Sequence, residues 1–178
     1  MFESFFRCSA PAPVAATSSL TLTGLRATRP PEAGVYNEGL LTIWDSDSSR
    51  TLLNGWAEVL GRKCTALMTT GFGDVLVWDH QQGGVAFLEV QRNHLEFIGS
   101  DADWLLNEFL MLPGILEKVL RQPLFEAVQR RNRALRFREA FILEPWRMLG
   151  GQEDVENFTI GDCAVYLSLV SQSLWRVR

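Results

Sequence analysis

Histidine and cysteine are scarce in this chain, at 2 and 3 of 178 residues. The cysteines (Cys8, Cys64 and Cys163) are odd in number and far apart. No CxxC or Cys/His ligand spacing accompanies them, so neither a disulfide framework nor a zinc site is indicated. Cys64 and Cys163 sit among apolar neighbours and read as small core residues, and free thiols suit a reducing cytoplasm. No apolar run approaches the ~20 residues that a membrane-spanning helix requires. The opening residues 1–19 carry Glu3 early and prolines at positions 11 and 13 where a secretory signal needs an apolar stretch, so no signal is read there. Basic charge is also short, with 17 Lys and Arg against 21 Asp and Glu and a net charge of −4. That balance argues against general nucleic-acid binding, which needs an excess of cations to neutralise phosphates.

What remains is globular material. Hydrophobic residues make up 47% and charged residues 21%, enough for a full core in one domain. Residues 1–34 are expected to be a leader or linker with little regular structure. It is broken by the Pro/Ala/Ser-rich stretch 8–19 and by Arg29-Pro30-Pro31-Glu32-Ala33-Gly34, with Leu20, Leu22 and Leu25 as a possible short strand between them. Residues 35–178 are expected to form a single α+β domain. Charge is uneven along the chain: residues 1–60, 61–112 and 113–178 carry net charges of −2, −4 and +2. An acidic middle suits a basic partner through steering and complementarity.

The segment Thr70-Gly71-Phe72-Gly73-Asp74-Val75-Leu76-Val77-Trp78-Asp79 is the most telling. Two glycines bracket an aromatic, and an acidic residue opens a strongly β-prone run, as in a tight turn feeding a buried strand. Residues 64–98 read as an antiparallel meander: CTALMTT, the GFG turn, DVLVWDH, the QQGG connection, VAFLEV, the QRN turn and HLEFIG. Before it, LLTIW at 40–44 fits helix or strand. Thr51–Leu60 places Leu52, Leu53, Trp56, Val59 and Leu60 at helical spacing before Gly61. After it, Asp101 is a helix cap, Pro113 and Pro123 sit at helix starts, residues 139–144 read as a further strand ended by Pro145, and Asp162 caps a final helix. The order gives an α+β fold: a central antiparallel meander sheet, with a strand near 139–144, packed with helices.

The search for chemistry is largely negative. His80 and His94 flank one strand and invite a metal or acid–base reading with Asp74, Asp79 or Glu96, but no HxH, HExxH or DxD pattern accompanies them, and exposed histidines beside turns are ordinary. GxSxG is absent. Gly71 and Gly73 lack the third glycine of a dinucleotide loop, since position 76 is Leu76, and a strand follows where a nucleotide fold needs a helix. The arginines Arg130, Arg131, Arg133, Arg136 and Arg138, interleaved with Leu135 and Phe137, offer an aromatic–basic surface. The plainer account is a helix C-terminus whose dipole favours cations. Acidic clusters at Asp45/Asp47, Asp101/Asp103 with Glu108, and Glu153/Asp154/Glu156 each begin or precede a helix, so capping explains most of them. Trp56, Trp78 and Trp104 fall on apolar faces. Trp44, Trp146 and Trp175 lie near element ends and are candidate interface anchors.

One order of motifs carries a resemblance. The Phe72-Gly73-Asp74 turn leads into the strand ending at Trp78, then come a hairpin strand, the element Pro123-Leu124-Phe125-Glu126, a strand ending in proline, Leu149-Gly150-Gly151, and Val155-Glu156-Asn157-Phe158 before a closing helix. From Phe72 to about Val170 the chain resembles the C-terminal domain of bacterial type VI secretion immunity proteins, the kind often fused to a GAD-like domain and associated with neutralising DNase effectors. The part before residue 34 is short and low in complexity, so a complete GAD-like domain is not expected there. The resemblance implies no catalytic residue, cofactor or metal. It implies a stoichiometric cytoplasmic complex with a cognate toxin, a nuclease, without direct contact to nucleic acid or membrane. The alternatives are an interaction scaffold of SUKH-like style and a His/carboxylate hydrolase. A DNase presents a basic DNA-facing surface, so the residues expected to meet it are the acidic and aromatic Trp44, Asp45, Asp47, Asp101, Asp103, Glu108, Trp146, Glu153, Asp154 and Glu156.

Overall fold

A computed structural model of the chain describes residues 2–12, 31–61 and 63–176. The chain opens with a helical turn α1 (Phe2–Phe5) and strand β1 (Cys8–Pro11), then β2 (Gly34–Tyr36), β3 (Leu41–Ile43), α2 (Ser46–Leu52) and α3 (Ala57–Leu60). The meander follows as β4 (Cys64–Thr70), β5 (Val75–Asp79), β6 (Gly84–Glu89) and β7 (His94–Gly99). Then come α4 (Ala102–Asn107), α5 (Pro113–Lys118), α6 (Gln122–Arg131), β8 (Glu139–Leu143), β9 (Phe158–Asp162) and α7 (Cys163–Arg176).

Strands β1 to β7 form one seven-stranded antiparallel sheet in sequence order. The meander is therefore the larger half of a sheet that starts near the N-terminus. Within 1–34, the expected leader, residues 2–12 supply a helical turn and an edge strand, with Cys8 opposite Tyr36 and Pro11 opposite Gly34. Phe2 and Phe6 anchor this piece in the core, their rings 4.9 Å apart. Leu20, Leu22 and Leu25 lie outside the described residues. The LLTIW segment resolves as strand β3, pairing with β2 and β4.

The inner strands β2 to β6 are buried on both faces, which is why β5 and β6 read as nearly continuous apolar runs. Along β5, Leu76 and Trp78 enter one core cluster while Val75 and Val77 enter the other; along β6, Val85 and Phe87 alternate with Ala86 and Leu88 in the same way. That is the two-residue period of a pleated strand with a helical layer on each side. The register of β4 against β5 shifts between Ala66 and Met68, and this bulge leaves Leu67 and Met68 in the same cluster. One layer is built from α4, α5 and α6, the other from α2, α3 and α7.

Two expectations shift in detail. The helix predicted over Thr51–Leu60 starts earlier, at Ser46, where Asp45 accepts hydrogen bonds from the Asp47 and Ser48 amides at 3.1 and 2.9 Å. It then breaks at Asn54-Gly55, a poor helix-forming pair, and Gly55 packs so closely on Ser171 of α7 that a β-carbon would collide with it. The strand near 139–144 does not join the main sheet. It pairs with β9 in a separate two-stranded sheet, Phe141 opposite Ile160, and Phe141 N–H donates to the Gly71 carbonyl at 2.8 Å.

Candidate functional site

The Phe72-Gly73-Asp74 turn lies where the two sheets and α6 meet. Gly73 has φ +80°, and a β-carbon there would lie 2.7 Å from the Tyr166 ring; one on Gly71 would collide with Phe125. The turn is closed by Gly73 N–H donating to the Thr70 carbonyl at 2.9 Å and Thr70 N–H donating to the Asp74 carbonyl at 2.8 Å. Its glycines exist for close packing, and they aim Asp74 inward.

Asp74 is 8% exposed and fully engaged. Its Oδ1 accepts from Val90 N–H at 3.0 Å, and its Oδ2 accepts from an Arg121 guanidinium nitrogen at 2.7 Å. Arg121 donates its other terminal nitrogen to Glu153 Oε1 at 2.8 Å, and Arg147 meets the same oxygen at 2.5 Å. The Arg121 guanidinium also stacks 4.2 Å over the Phe72 ring, a cation–π contact. Arg121 itself adopts φ 52°, in the left-handed region, in the link between α5 and α6. Burial pushes the Asp74 carboxyl up, against the pull of Arg121 and the Val90 amide. Burial also raises Glu153, but Arg147, Arg121 and Arg92 outweigh it and hold this carboxyl below its ordinary range.

These side chains line a cavity of about 60 Å³. Such a volume holds a few water molecules and is far below the ~300–1,000 Å³ of a pocket for an organic ligand. A more open groove of about 580 Å³ runs beside α6, lined by Arg7, Asn37, Glu38, Phe125, Glu126 and Gln129 among others. Several of its polar groups bond one another: Arg7 N–H donates to Asn37 Oδ1 at 2.8 Å, and Gln129 donates to the Glu38 carbonyl at 3.3 Å. Among the described residues, no group of three or more His, Cys, Asp or Glu could hold a metal ion.

The histidines do not share a site. His80 follows β5 beside the Gly84 end of β6, and His94 pairs with Glu89 at the other end. The six-residue length of β6, about 17 Å at 3.3–3.4 Å per residue, separates them. His80 Nε2 lies 2.8 Å from Thr65 Oγ1, a local contact. Around the arginine run, Leu135 is buried and Phe137 packs on Trp44 at 5.6 Å. The apolar partners of the run are therefore engaged by the fold, Leu135 fully and Phe137 in part. Arg133 is forked onto Glu139 at 2.6 and 2.8 Å.

Of the candidate partner residues, two are corrected. Trp44 is 1% exposed, with its indole N–H donating to Thr69 Oγ1 at 3.0 Å, so it is core and cannot anchor a partner. Asp45 is 5% exposed and occupied in capping α2. Asp47, Asp101, Glu108, Asp154 and Glu156 are exposed, whereas Asp103, Trp146 and Glu153 are half-buried. Asp101 also caps α4 through the Trp104 amide at 2.9 Å. Glu153 is consumed by Arg121 and Arg147. The side chain of Trp175 lies outside the described residues. No motif in the sequence points to Arg121 or Arg147; the nearest signal is Asp74, an aspartate at the mouth of a buried strand, which needs a cation from elsewhere in the chain.

Residues 106–173 match the family described as "T6SS immunity protein Tdi1, C-terminal". The match takes in Arg121, Arg147 and Glu153 but leaves out the Phe72-Gly73-Asp74 turn, so the ion pair of Asp74 with Arg121 ties the matched segment to the meander. No curated protein matches the chain. Among solved structures, the crystal structure of Atu4351 from Agrobacterium tumefaciens is similar, with a TM-score of 0.58 and 14% identity over 80% of this chain and 71% of that one. At that identity the likeness speaks for the fold. No helix among the described residues is long and apolar enough to cross a membrane.

Proposed function

We propose that this type VI secretion immunity protein, recognised as such by the family of its residues 106–173, holds a secreted antibacterial toxin in a stoichiometric protein–protein complex, and that the toxin is a DNase. The family match is the observation that carries the reading. The site is consistent with it. The ion-paired cluster at the turn is self-neutralising: each of Asp74, Arg121, Glu153 and Arg147 already has an opposite charge, beside a space too small for an organic substrate. Such a network holds a shape. Binding then falls to the exposed surface, where carboxylates are set to meet the basic face that a DNase must present to DNA. The complex is assigned to the cytoplasm, where the three free thiols would stay reduced.

The test is co-expression of this chain with the product of the neighbouring reading frame. Growth rescue together with 1:1 co-purification is expected. Toxicity of that product unrelieved by the chain, with no complex recovered, would sink the reading.

A further inference from the structure

Most large apolar side chains left in solvent lie in one stretch of the sequence, spread over both helical layers, and two of them are adjacent. Seven such side chains are exposed among the described residues, and five of them (Leu112, Met148, Leu149, Val165 and Leu169) fall within residues 106–173. Leu149 is the extreme case at 70%, and it follows directly on Met148 in the turn between β8 and β9. A lone exposed leucine needs no explanation. Here it sits on a turn whose backbone is fixed from several sides. Leu149 and Gly151 N–H donate to the Trp146 carbonyl at 2.8 and 3.1 Å, and Gly150 N–H donates to the Arg147 carbonyl at 3.0 Å. Arg147 N–H donates to Gln91 Oε1 at 2.7 Å, and the Arg147 guanidinium is held by Glu153. Trp146 packs edge-on against Tyr166, with ring centres 6.2 Å apart. The chain has thus fixed a two-residue apolar tip in water, so little ordering remains to be done when a partner arrives.

The surroundings say what kind of partner. Glu144, Asp154 and Glu156 flank the tip in sequence on both sides, all three are exposed, and none has an ion pair among the described residues. Arg92, in the turn that packs against this one, is already paired with Glu89. An apolar tip flanked along the chain by carboxylates suits a protein partner that offers an apolar socket and basic charge.

We infer that the Met148–Leu149 tip is the anchor of the toxin complex, inserting into an apolar socket within a basic surface of the toxin, with Glu144, Asp154 and Glu156 as its steering rim. The inference rests on the toxin-binding reading above and names its surface. In it Arg147 and Glu153 make no contact with the toxin; they stiffen the turn, and their ion pair belongs to the buried network.

The probe is the purified product of the neighbouring reading frame, its affinity measured by calorimetry and its rates by surface plasmon resonance. M148D/L149D is expected to weaken binding by about 30-fold or more, the loss typical of a hot-spot residue, chiefly through faster dissociation. E144K/D154K/E156K is expected to slow association several-fold at low salt, a difference that fades as salt is added. L169D, on the exposed face of α7, serves as the control and is expected to leave affinity within twofold. Thermal melts of all variants should match the wild type, because these side chains are exposed. If the wild-type chain fails to bind the probe, the toxin-binding reading fails. If the wild type binds and M148D/L149D loses less than tenfold, the tip is not the anchor and the inference is overturned. A shift of M148D/L149D from dimer to monomer with toxin affinity intact would also overturn it, by assigning the tip to a second copy of this chain.

Discussion

The buried turn at Phe72–Asp74 and the exposed turn at Trp146–Gly151 use similar materials to opposite ends. Both are short, glycine-containing, hydrogen-bonded to their neighbours, and joined through Arg121, Glu153 and Arg147. In the first, an aromatic and a carboxylate face inward, and every charge finds a partner inside the fold. In the second, the charge (Arg147) is drawn inward while two apolar side chains are left in water. A charge with an internal partner is committed to the fold, and only groups without one are available for another molecule.

Breaking the buried half should cost most. Arg121→Leu leaves Asp74 enclosed without its cation, and a loss of ~3–5 kcal/mol is expected in chemical denaturation, the range for removing one partner of a buried pair. Retention of wild-type stability would mean that Asp74 is solvated and the network ornamental. The exposed half should respond in the opposite way: M148D/L149D leaves the melt unchanged and weakens toxin binding about 30-fold or more, so the two variants dissociate stability from binding. Smaller again is the effect of the acidic face around α4. Reversing Glu108 is expected to lower the association rate at low salt. Asp101 should be changed only to Asn, because it caps α4 and Asn preserves the cap. Unaltered kinetics at low salt would remove that face from the complex.

The subtlest effect is on pH. Glu153 titrates below its ordinary value of 4.5 in the folded chain, so its ionised form is favoured by folding. Its contribution is present in full above that value and is lost as pH falls through the depressed folded-state value. The stability gap between wild type and Glu153→Gln, read from urea melts, should therefore be constant near neutrality and close as the solution is acidified below 4.5. A gap that widened on acidification would reverse the assigned sign.

The contrast also explains what could be read from the sequence. The meander was legible because its information is local: alternating apolar runs, the GFG turn and the QQGG connection each specify their own strand. The N-terminal edge strand was hidden, since Cys8–Pro11 is short, polar and proline-bearing and becomes a strand only by pairing with Gly34–Tyr36. The strand at Phe158–Asp162 was hidden for the same reason, its partner lying upstream at Glu139–Leu143. Trp44 was misplaced because a residue at the end of a strand can point either way, and here the bonded Thr69 and the packed Phe137 draw it inside. Asp74 and Arg121 stand 47 residues apart, and no spacing rule links them. The exposed tip could not be read at all, because exposure is a property of the finished surface.

The claim that this chain acts by occupying a toxin is tested most directly by titration. Nuclease activity of the purified product of the neighbouring reading frame would be measured against increasing amounts of the chain. The account predicts a linear fall to zero at one equivalent, with activity regained when the complex is dissociated. Loss of activity at a small fraction of an equivalent, or full activity in the presence of excess chain, would contradict it.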